Sequence, residues 1–324
     1  MCKRLVIYCY PMTCFYKKNK KYANLRYIKN NPENMKKTVV GLGEVLWDML
    51  PEGRQIGGAP ANFAFHASQW GHRGYVVSAV GTDPLGEETL SLLQAKGLNT
   101  VIPHTPYPTG TVAVTLTEGG IPHYDICQGV AWDHIPFTPA MEELAAHTDA
   151  VCFGSLAQRS AESRSTIYQF VDTMPKTEDT LKVFDINLRQ TYYSAEVIEQ
   201  SLTRCNMVKL NDEELPVVTR MLALQGGSAE AQCQALVHRF GLRLAILTCG
   251  TLGSYVYGAD TASFVATPRV QVADTVGAGD SFTGSFVAAL LNGQTVEQAH
   301  QLAVRVSAYV CSQHGAMPEI QGRV

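Results

Sequence analysis

Short apolar runs alternate along this chain with longer stretches in which apolar positions recur every three or four residues. The runs 38–44, 75–80, 150–154, 182–185, 207–210 and 244–247 read as strands, and their nearly continuous apolar character predicts cover on both faces. The stretches 60–70, 85–95, 163–173, 195–203, 213–222 and 229–240 carry the helical period. Gly71, Gly97 and Gly241 stand just past three of them, where a helix ends most readily. This alternation predicts an α/β fold: a doubly wound, mostly parallel sheet with helices on both faces.

One segment departs from the rhythm. Residues 109–125 alternate apolar and polar positions in two runs joined at Glu118-Gly119-Gly120, a hairpin signature. Alternation means one buried and one exposed face, so the segment is either a small flap outside the main sheet or an edge hairpin.

Composition narrows the class. With 46% hydrophobic and 17% charged residues in 324, the chain is ordinary globular protein, which excludes disordered, collagen-like and coiled-coil classes. The formal charge of −3 is unevenly spread. Residues 1–34 hold eight of the 26 Lys and Arg but only Glu33 of the 29 Asp and Glu, leaving 18 basic against 28 acidic residues beyond them. An acidic body disfavours nucleic acid or an anionic membrane as partner. The first 34 residues contain neither Gly nor Asp and are crowded with Lys, Asn and Tyr. Their apolar stretch 5–16 falls short of the roughly 20 residues a membrane span needs, and no small-residue cleavage site follows it. The expectation is a non-native or disordered extension, translated from upstream sequence, with Met35 as the start and 35–324 as the working domain. A basic arm for nucleic acid is the alternative reading of the head.

Nine cysteines include no C-x-x-C pair and nine histidines no H-x-x-x-H, so no zinc spacing is present. A reducing, cytoplasmic location fits. Cys152 and Cys249 sit in apolar runs and read as small buried hydrophobes.

The strongest chemical signal is Asp274-Thr275-Val276-Gly277-Ala278-Gly279-Asp280-Ser281-Phe282. It reads as a strand over 270–274, a glycine turn, then a helix over 282–291. The small residues Gly277, Ala278 and Gly279 let backbone N–H groups converge beside a helix N-terminus, which makes an anion hole. Asp280 stands where that hole opens, as a proton acceptor or as a simple helix cap. No Gly-Lys-Ser/Thr follows, so it is not a P-loop. Gly41-Leu42-Gly43 lacks the third glycine of a dinucleotide fingerprint, which leaves a nicotinamide oxidoreductase weakly supported. Elsewhere, Gly57-Gly58 permit close backbone approach, Pro60 suits a first helical turn, and the Asn62 amide suits paired hydroxyls. Asn211 and Glu214 form either a capping box or part of a site. Arg189 is a phosphate or substrate fork or a surface residue, and Lys209 a neutraliser of phosphate charge or a solvated lysine.

The 274–282 run resembles the C-terminal signature of the ribokinase-like (PfkB) carbohydrate kinases. Gly57-Gly58-Ala59-Pro60-Ala61-Asn62, Asn211-Asp212-Glu213-Glu214 and Thr248-Cys249-Gly250-Thr251-Leu252-Gly253 resemble three further motifs of that family in the same order. The resemblance covers about residues 38–320. It implies the ribokinase-like fold with a small β lid from about 50–57 and 109–130, and transfer of the ATP γ-phosphoryl group to a small sugar. It further implies Asp280 as base with the 277–279 amides as anion hole, and Asp48, Gly57, Gly58, Asn62 and Arg189 at the sugar. Lys209, Asn211, Glu214, Thr248, Gly250 and Gly253 fall at the nucleotide, with Asn211 and Glu214 on a hydrated Mg²⁺. A monovalent cation such as K⁺ is implied near Asp274 and Gly315, and a homodimer through the lid, for which Val112, Val114 and Leu116 offer an apolar face if they do not instead cover the sugar. Within the family, the 57–62 run, Thr109-Gly110-Thr111 and Gly129-Val130-Ala131-Trp132-Asp133 most resemble bacterial fructokinases, implying D-fructose as substrate. Ribose, 2-keto-3-deoxygluconate and a catalytically silent binding protein are the alternatives. A phosphorylated sugar would need cations beside the site, where the sequence offers only Arg54.

Overall fold

The computed structural model of the protein describes residues 36–50, 53–116, 122–320 and 322. The expectations for residues 1–34, for the Glu118-Gly119-Gly120 turn and for the side chains of Val114 and Leu116 lie outside the described residues.

The apolar runs fold as read. In chain order the strands are β1 (Thr38–Leu42), β2 (Leu46–Leu50), β3 (Gly53–Gly57), β4 (Arg73–Val77), β5 (Val80–Gly81), β6 (Asn99–Val101), β7 (His104–Thr105), β8 (Gly110–Leu116), β9 (Pro122–Ile126), β10 (Ala150–Gly154), β11 (Leu181–Asp185), β12 (Met207–Asn211), β13 (Leu244–Thr248), β14 (Ser254–Tyr257) and β15 (Ala262–Val265). The α-helices are α1 (Ala59–Ser68), α2 (Pro84–Ala95), α3 (Pro139–Ala146), α4 (Ala161–Thr173), α5 (Ala195–Leu202), α6 (Glu214–Met221), α7 (Ala229–Phe240), α8 (Ala278–Leu291) and α9 (Val296–Cys311).

Nine strands form the main sheet in the order β15-β14-β13-β12-β11-β10-β1-β4-β6, parallel from β13 to β6, with β14 and β15 added antiparallel at one edge. Leu42, Phe153, Phe184 and Leu210 pack on one face with Phe170 of α4, Ile198 of α5 and Leu236 of α7. Val39, Val183 and Ile246 pack on the other with Phe63 of α1, Phe286 of α8 and Ala303 of α9. From β1 the chain moves first to β4 on one side and later to β10 on the other. Such a reversal opens a crevice beyond the carboxyl ends of the strands. Gly41 allows α1 to lie close over β1, because a Cβ there would stand 1.9 Å from the Pro60 carbonyl oxygen. Among the described residues no helix is long and apolar enough to cross a membrane.

Three expected boundaries move. The run 75–80 divides at Val77, whose carbonyl accepts from Gly43 (3.0 Å), and Val80 turns to the Pro103 carbonyl instead (3.2 Å). Residues 270–274 form no strand: Val272 is 59% exposed, and the Ala273 and Asp274 amides both donate to the Cys311 carbonyl. The helix expected from residue 282 begins at Ala278, because Gly277 takes a left-handed φ of 76° that starts the helix a turn earlier. Cys152 is buried within β10 as expected, whereas Cys249 lies beyond β13, half-buried in a turn.

A second sheet stands over the crevice in the order β3-β2-β8-β9, with β2 and β8 parallel and the outer pairs antiparallel. It begins at Leu46, so β2 belongs to it in full and Asp48 lies in mid-strand opposite Gln55 and Val112. Its root is polar and buried. Arg159 Nε and Nη2 meet the two carboxylate oxygens of Asp133 at 2.7 and 2.9 Å, with both side chains 7% exposed. The guanidinium lies 4.0 Å from the Trp132 ring and 4.6 Å from that of Tyr192, and donates to the Cys127 carbonyl just past β9. Thr109 is likewise occupied away from the cleft, its N–H and hydroxyl both on Asp83 at 2.7 Å. Gly110 gives the Trp132 indole its room, since a Cβ would stand 2.2 Å from Nε1. The fructokinase-like motifs at 109–111 and 129–133 therefore build the base of the small sheet. Replacing Asp133 by Ala strands a buried guanidinium and should cost about 3–5 kcal/mol. Denaturant unfolding checks this, and a loss below ~1 kcal/mol would contradict it.

Candidate active site

Polar residues end the apolar strands of the main sheet at one level. Asp185 closes β11, Asn211 closes β12 opposite Thr248 of β13, and Glu44 follows β1. A strand interior buried on both faces has no room for these groups, so they collect where the sheet stops. Glu44, Asn211 and Thr248, with the start of α8 and the small sheet, line a cleft of about 1680 Å³, and Asp185 lies just behind its wall, 3.1 Å from Lys209 Nζ.

The N-terminal and C-terminal motifs meet in it. Asn62 of α1 and Asp280 of α8 are 218 positions apart, yet Asn62 Nδ2 donates to Asp280 Oδ2 at 2.8 Å. Asn62 Oδ1 is buried and has no hydrogen-bond partner among the described residues. Gly277 occupies the N-cap position of α8, and Asp280 sits three residues inside without a capping bond. The helix-cap reading of Asp280 thus gives way to an acid held by Asn62. The Ala278 amide closes onto the Thr275 carbonyl (3.3 Å), which removes it from the expected anion hole. Gly279 and Asp280 supply the first-turn amides that no described group takes. Gly277 must lack a side chain because a Cβ would stand 2.7 Å from that of Ala316.

Lys209 is not a solvated lysine, although it borders the cleft. It is buried in β12, its Nζ 3.1 Å from Asp185 Oδ1, and a Cβ on Gly279 would meet that Nζ at 2.9 Å. The ammonium therefore stands directly behind the start of α8. Burial pushes its pKa down, but Asp185, Glu214 and Asp280 outweigh this and hold it above the ordinary lysine value. Burial, then the charge of Asp185, pushes Asp280 up to about 6, against the pull of Asn62, Lys209 and Arg189. Glu44, 2% exposed, is pushed to about 7, chiefly by burial. Sequence reasoning passed over Glu44 and Asp185 as site residues. Their signal was there: each is a lone acid closing an apolar run.

The Asn211–Glu214 spacing forms a reciprocal cap. Asn211 Oδ1 accepts from the Glu213 and Glu214 amides (3.0 and 2.8 Å), and Glu214 Oε2 accepts from the Asn211 amide (2.9 Å). Burial, then Asp185, raises the Glu214 pKa. Thr248, Gly250 and Gly253 form the turn between β13 and β14. Gly250 (φ 52°) has its carbonyl pinned by the Thr267 hydroxyl at 2.7 Å, and Thr248 and Gly250 border the cleft. Arg189 is exposed on the cleft wall and donates to the Leu188 carbonyl (3.0 Å). Asp48 projects from the small sheet toward Gly57, whose missing Cβ would lie 2.9 Å from Asp48 Oδ2; burial raises the Asp48 pKa. Gly58 (φ 122°) starts α1 against the Glu44 carbonyl. Asp274 Oδ1 and Oδ2 accept from the Val276 and Gly315 amides (3.0 and 3.2 Å), so the two loops expected near a monovalent cation are neighbours. Arg54 pairs instead with Glu88 (2.5 Å) and does not line the cleft. Val112, 5% exposed, lines the cleft, so its side chain covers the pocket.

Known proteins resemble this chain over most of its length. The chain is 28% identical to a fructokinase of Salmonella typhimurium over 85% of this chain and 94% of the relative. It is 27% identical to an ATP-dependent 6-phosphofructokinase of Thermoanaerobacterium thermosaccharolyticum, over 89% and 92% of the two chains. Its fold is similar to that of a Xylella fastidiosa fructokinase solved with bound ATP, with a TM-score of 0.74 and 23% identity over 87% of this chain and 94% of that one. Residues 52–321 match the pfkB family, and the chain accordingly belongs to the pfkB family of carbohydrate kinases.

Proposed function

We propose that the protein is a cytoplasmic fructokinase, transferring the γ-phosphoryl group of ATP to a hydroxyl of D-fructose to give fructose 6-phosphate. The observation that carries the reading is the Asn62–Asp280 pair beside the start of α8. Asn62 occupies one carboxylate oxygen of Asp280 and leaves the other to take a proton from the sugar hydroxyl. A pKa of about 6 keeps that carboxylate ionised at neutral pH while making it a stronger base than an ordinary aspartate. The Gly279 and Asp280 amides, the helix N-terminus and the Lys209 ammonium behind Gly279 give the transferring phosphoryl group a positive surround. The partnerless Asn62 Oδ1 awaits a donor, which a second sugar hydroxyl supplies.

The buried acids fit a divalent cation at the nucleotide end. Both Glu214 oxygens already accept backbone amides and retain further lone pairs, which suits contact with Mg²⁺ through its waters, with Asn211 beside it. When bound, Mg²⁺ neutralises phosphate charge. The apposed 274 and 315 loops suit a K⁺ held by backbone carbonyls. Closure of the small sheet excludes water that would compete as acceptor.

The sugar end supports a neutral substrate. Asp48 and Asp125 line it, and the nearby Arg54 is committed to Glu88. A sugar phosphate would meet the charge of both carboxylates, whereas Arg189 on the cleft wall is left for the phosphoryl group being transferred. An ADP-release assay over fructose, ribose, 2-keto-3-deoxygluconate and fructose 6-phosphate tests this, with the highest kcat/KM expected on fructose. Preference for fructose 6-phosphate would contradict it.

Asp280→Asn should lower kcat about 10²–10⁴-fold and yet stabilise the fold. The folded pKa lies above the unfolded value. Its stabilising contribution is therefore complete below pH ~4 and lost as pH rises through about 6, leaving the charged acid a cost at neutral pH. Removing it should gain up to about 3 kcal/mol, seen as a higher Tm at pH 7.5. A helix-cap role predicts a nearly unchanged Tm with activity kept, because Asn caps about as well as Asp.

A further inference from the structure

The segment carrying Arg189 is held in a shape it would not adopt alone. Asn187 and Gln190 both take left-handed backbone angles, φ 42° and 48°, which a glutamine adopts only when its surroundings impose it. Two anchors flank Arg189. On one side the Leu188 amide donates to Glu214 Oε1 at 2.8 Å, while the other oxygen of that carboxylate holds the Asn211 amide. On the other side the Tyr192 amide donates to the Arg189 carbonyl (3.0 Å), and the Tyr192 ring lies against the Arg159 guanidinium at the root of the small sheet. Glu214 is 6% exposed and is itself fixed by the Asn211 cap. One buried carboxylate thus ties Asn211, on the cleft, to the loop that carries Arg189 on the cleft wall.

We propose that Glu214 is a positioning residue for Arg189: by holding the Leu188 amide it sets where the guanidinium stands, in addition to any contact with a hydrated cation. This rests on the reading of Arg189 as a group that serves substrate or transferring phosphoryl. The consequence is a specific non-additivity, because a residue that works through Arg189 loses its effect once Arg189 is gone.

The experiment compares kcat/KM for fructose at saturating Mg-ATP in the parent enzyme, Glu214→Gln, Arg189→Ala and the double variant. Arg189→Ala should lower it about 10–100-fold and Glu214→Gln about tenfold, with the double variant at least about threefold less impaired than the product of the two losses, since only the part of Glu214 that acts through Arg189 is shared. Losses that multiply in the double variant overturn the inference while leaving the Arg189 reading intact. Near-normal activity of Arg189→Ala overturns both. A second readout uses no metal or nucleotide: amide hydrogen exchange at residues 188–190 should be at least about tenfold faster in Glu214→Gln, with exchange in α4 unchanged. Unchanged exchange at 188–190 overturns the inference even if the variant is less active.

Discussion

A single buried ammonium supports the chemistry of the whole cleft. Lys209 rises from the middle of a parallel sheet, pairs with Asp185, and feels Glu214 and Asp280 as well. One cation cannot neutralise three carboxylates, so part of the burial cost stays in the acids. Burial and the charge of Asp185 thus hold Asp280 near 6, while Glu44 is held near 7 chiefly by its own burial. A Cβ at position 279 would press on the same ammonium at 2.9 Å and oblige the lysine to shift away from the helix start. On the proposed function, an acidic body meets a polyanionic nucleotide with local devices: first-turn amides, a helix N-terminus, and a lysine placed behind them.

The fold explains why these groups converge. Parallel strands buried on both faces end in polar residues at one level, and the reversal between β1 and β10 leaves space above them. Helices α1 and α8 pack on the same face and bring Asn62 to Asp280. The small sheet then delivers Asp48 from above, on a root locked by the Asp133–Arg159 pair. Gly110, Trp132 and Asp133 act through shape, by fixing where that sheet stands.

Much of this was legible in the sequence. Five of the six apolar runs match strands to within a residue or two, and the run 75–80 overshoots β4 by three residues. The edge strands β6, β14 and β15 were not expected. Gly57-Gly58, Asn62 and the 274–282 run marked the cleft. What escaped depended on long-range contact. The helical start at Ala278 follows from the left-handed Gly277 packed on Ala316, which no local pattern announces. Val270 and Val272 looked like strand residues because apolar side chains facing a cleft and facing a core read alike. Lys209 was ambiguous because a lysine's burial is decided by its partner, Asp185, 24 positions away. Asn211 and Glu214 remained double in meaning for a different reason: the capping geometry and a place at the cleft coexist in one pair.

The central claim is that Asp280 is a base whose affinity for protons is set by burial and by its acidic neighbours. The pH dependence of kcat/KM for the sugar reports the free enzyme's essential base most directly. Because the base must be ionised, activity should fall as pH drops, along a one-proton limb with its midpoint near 6, in the Glu44→Gln enzyme as well as the parent. A profile that stays flat down to pH 5, or a limb that vanishes with Glu44, would contradict the account.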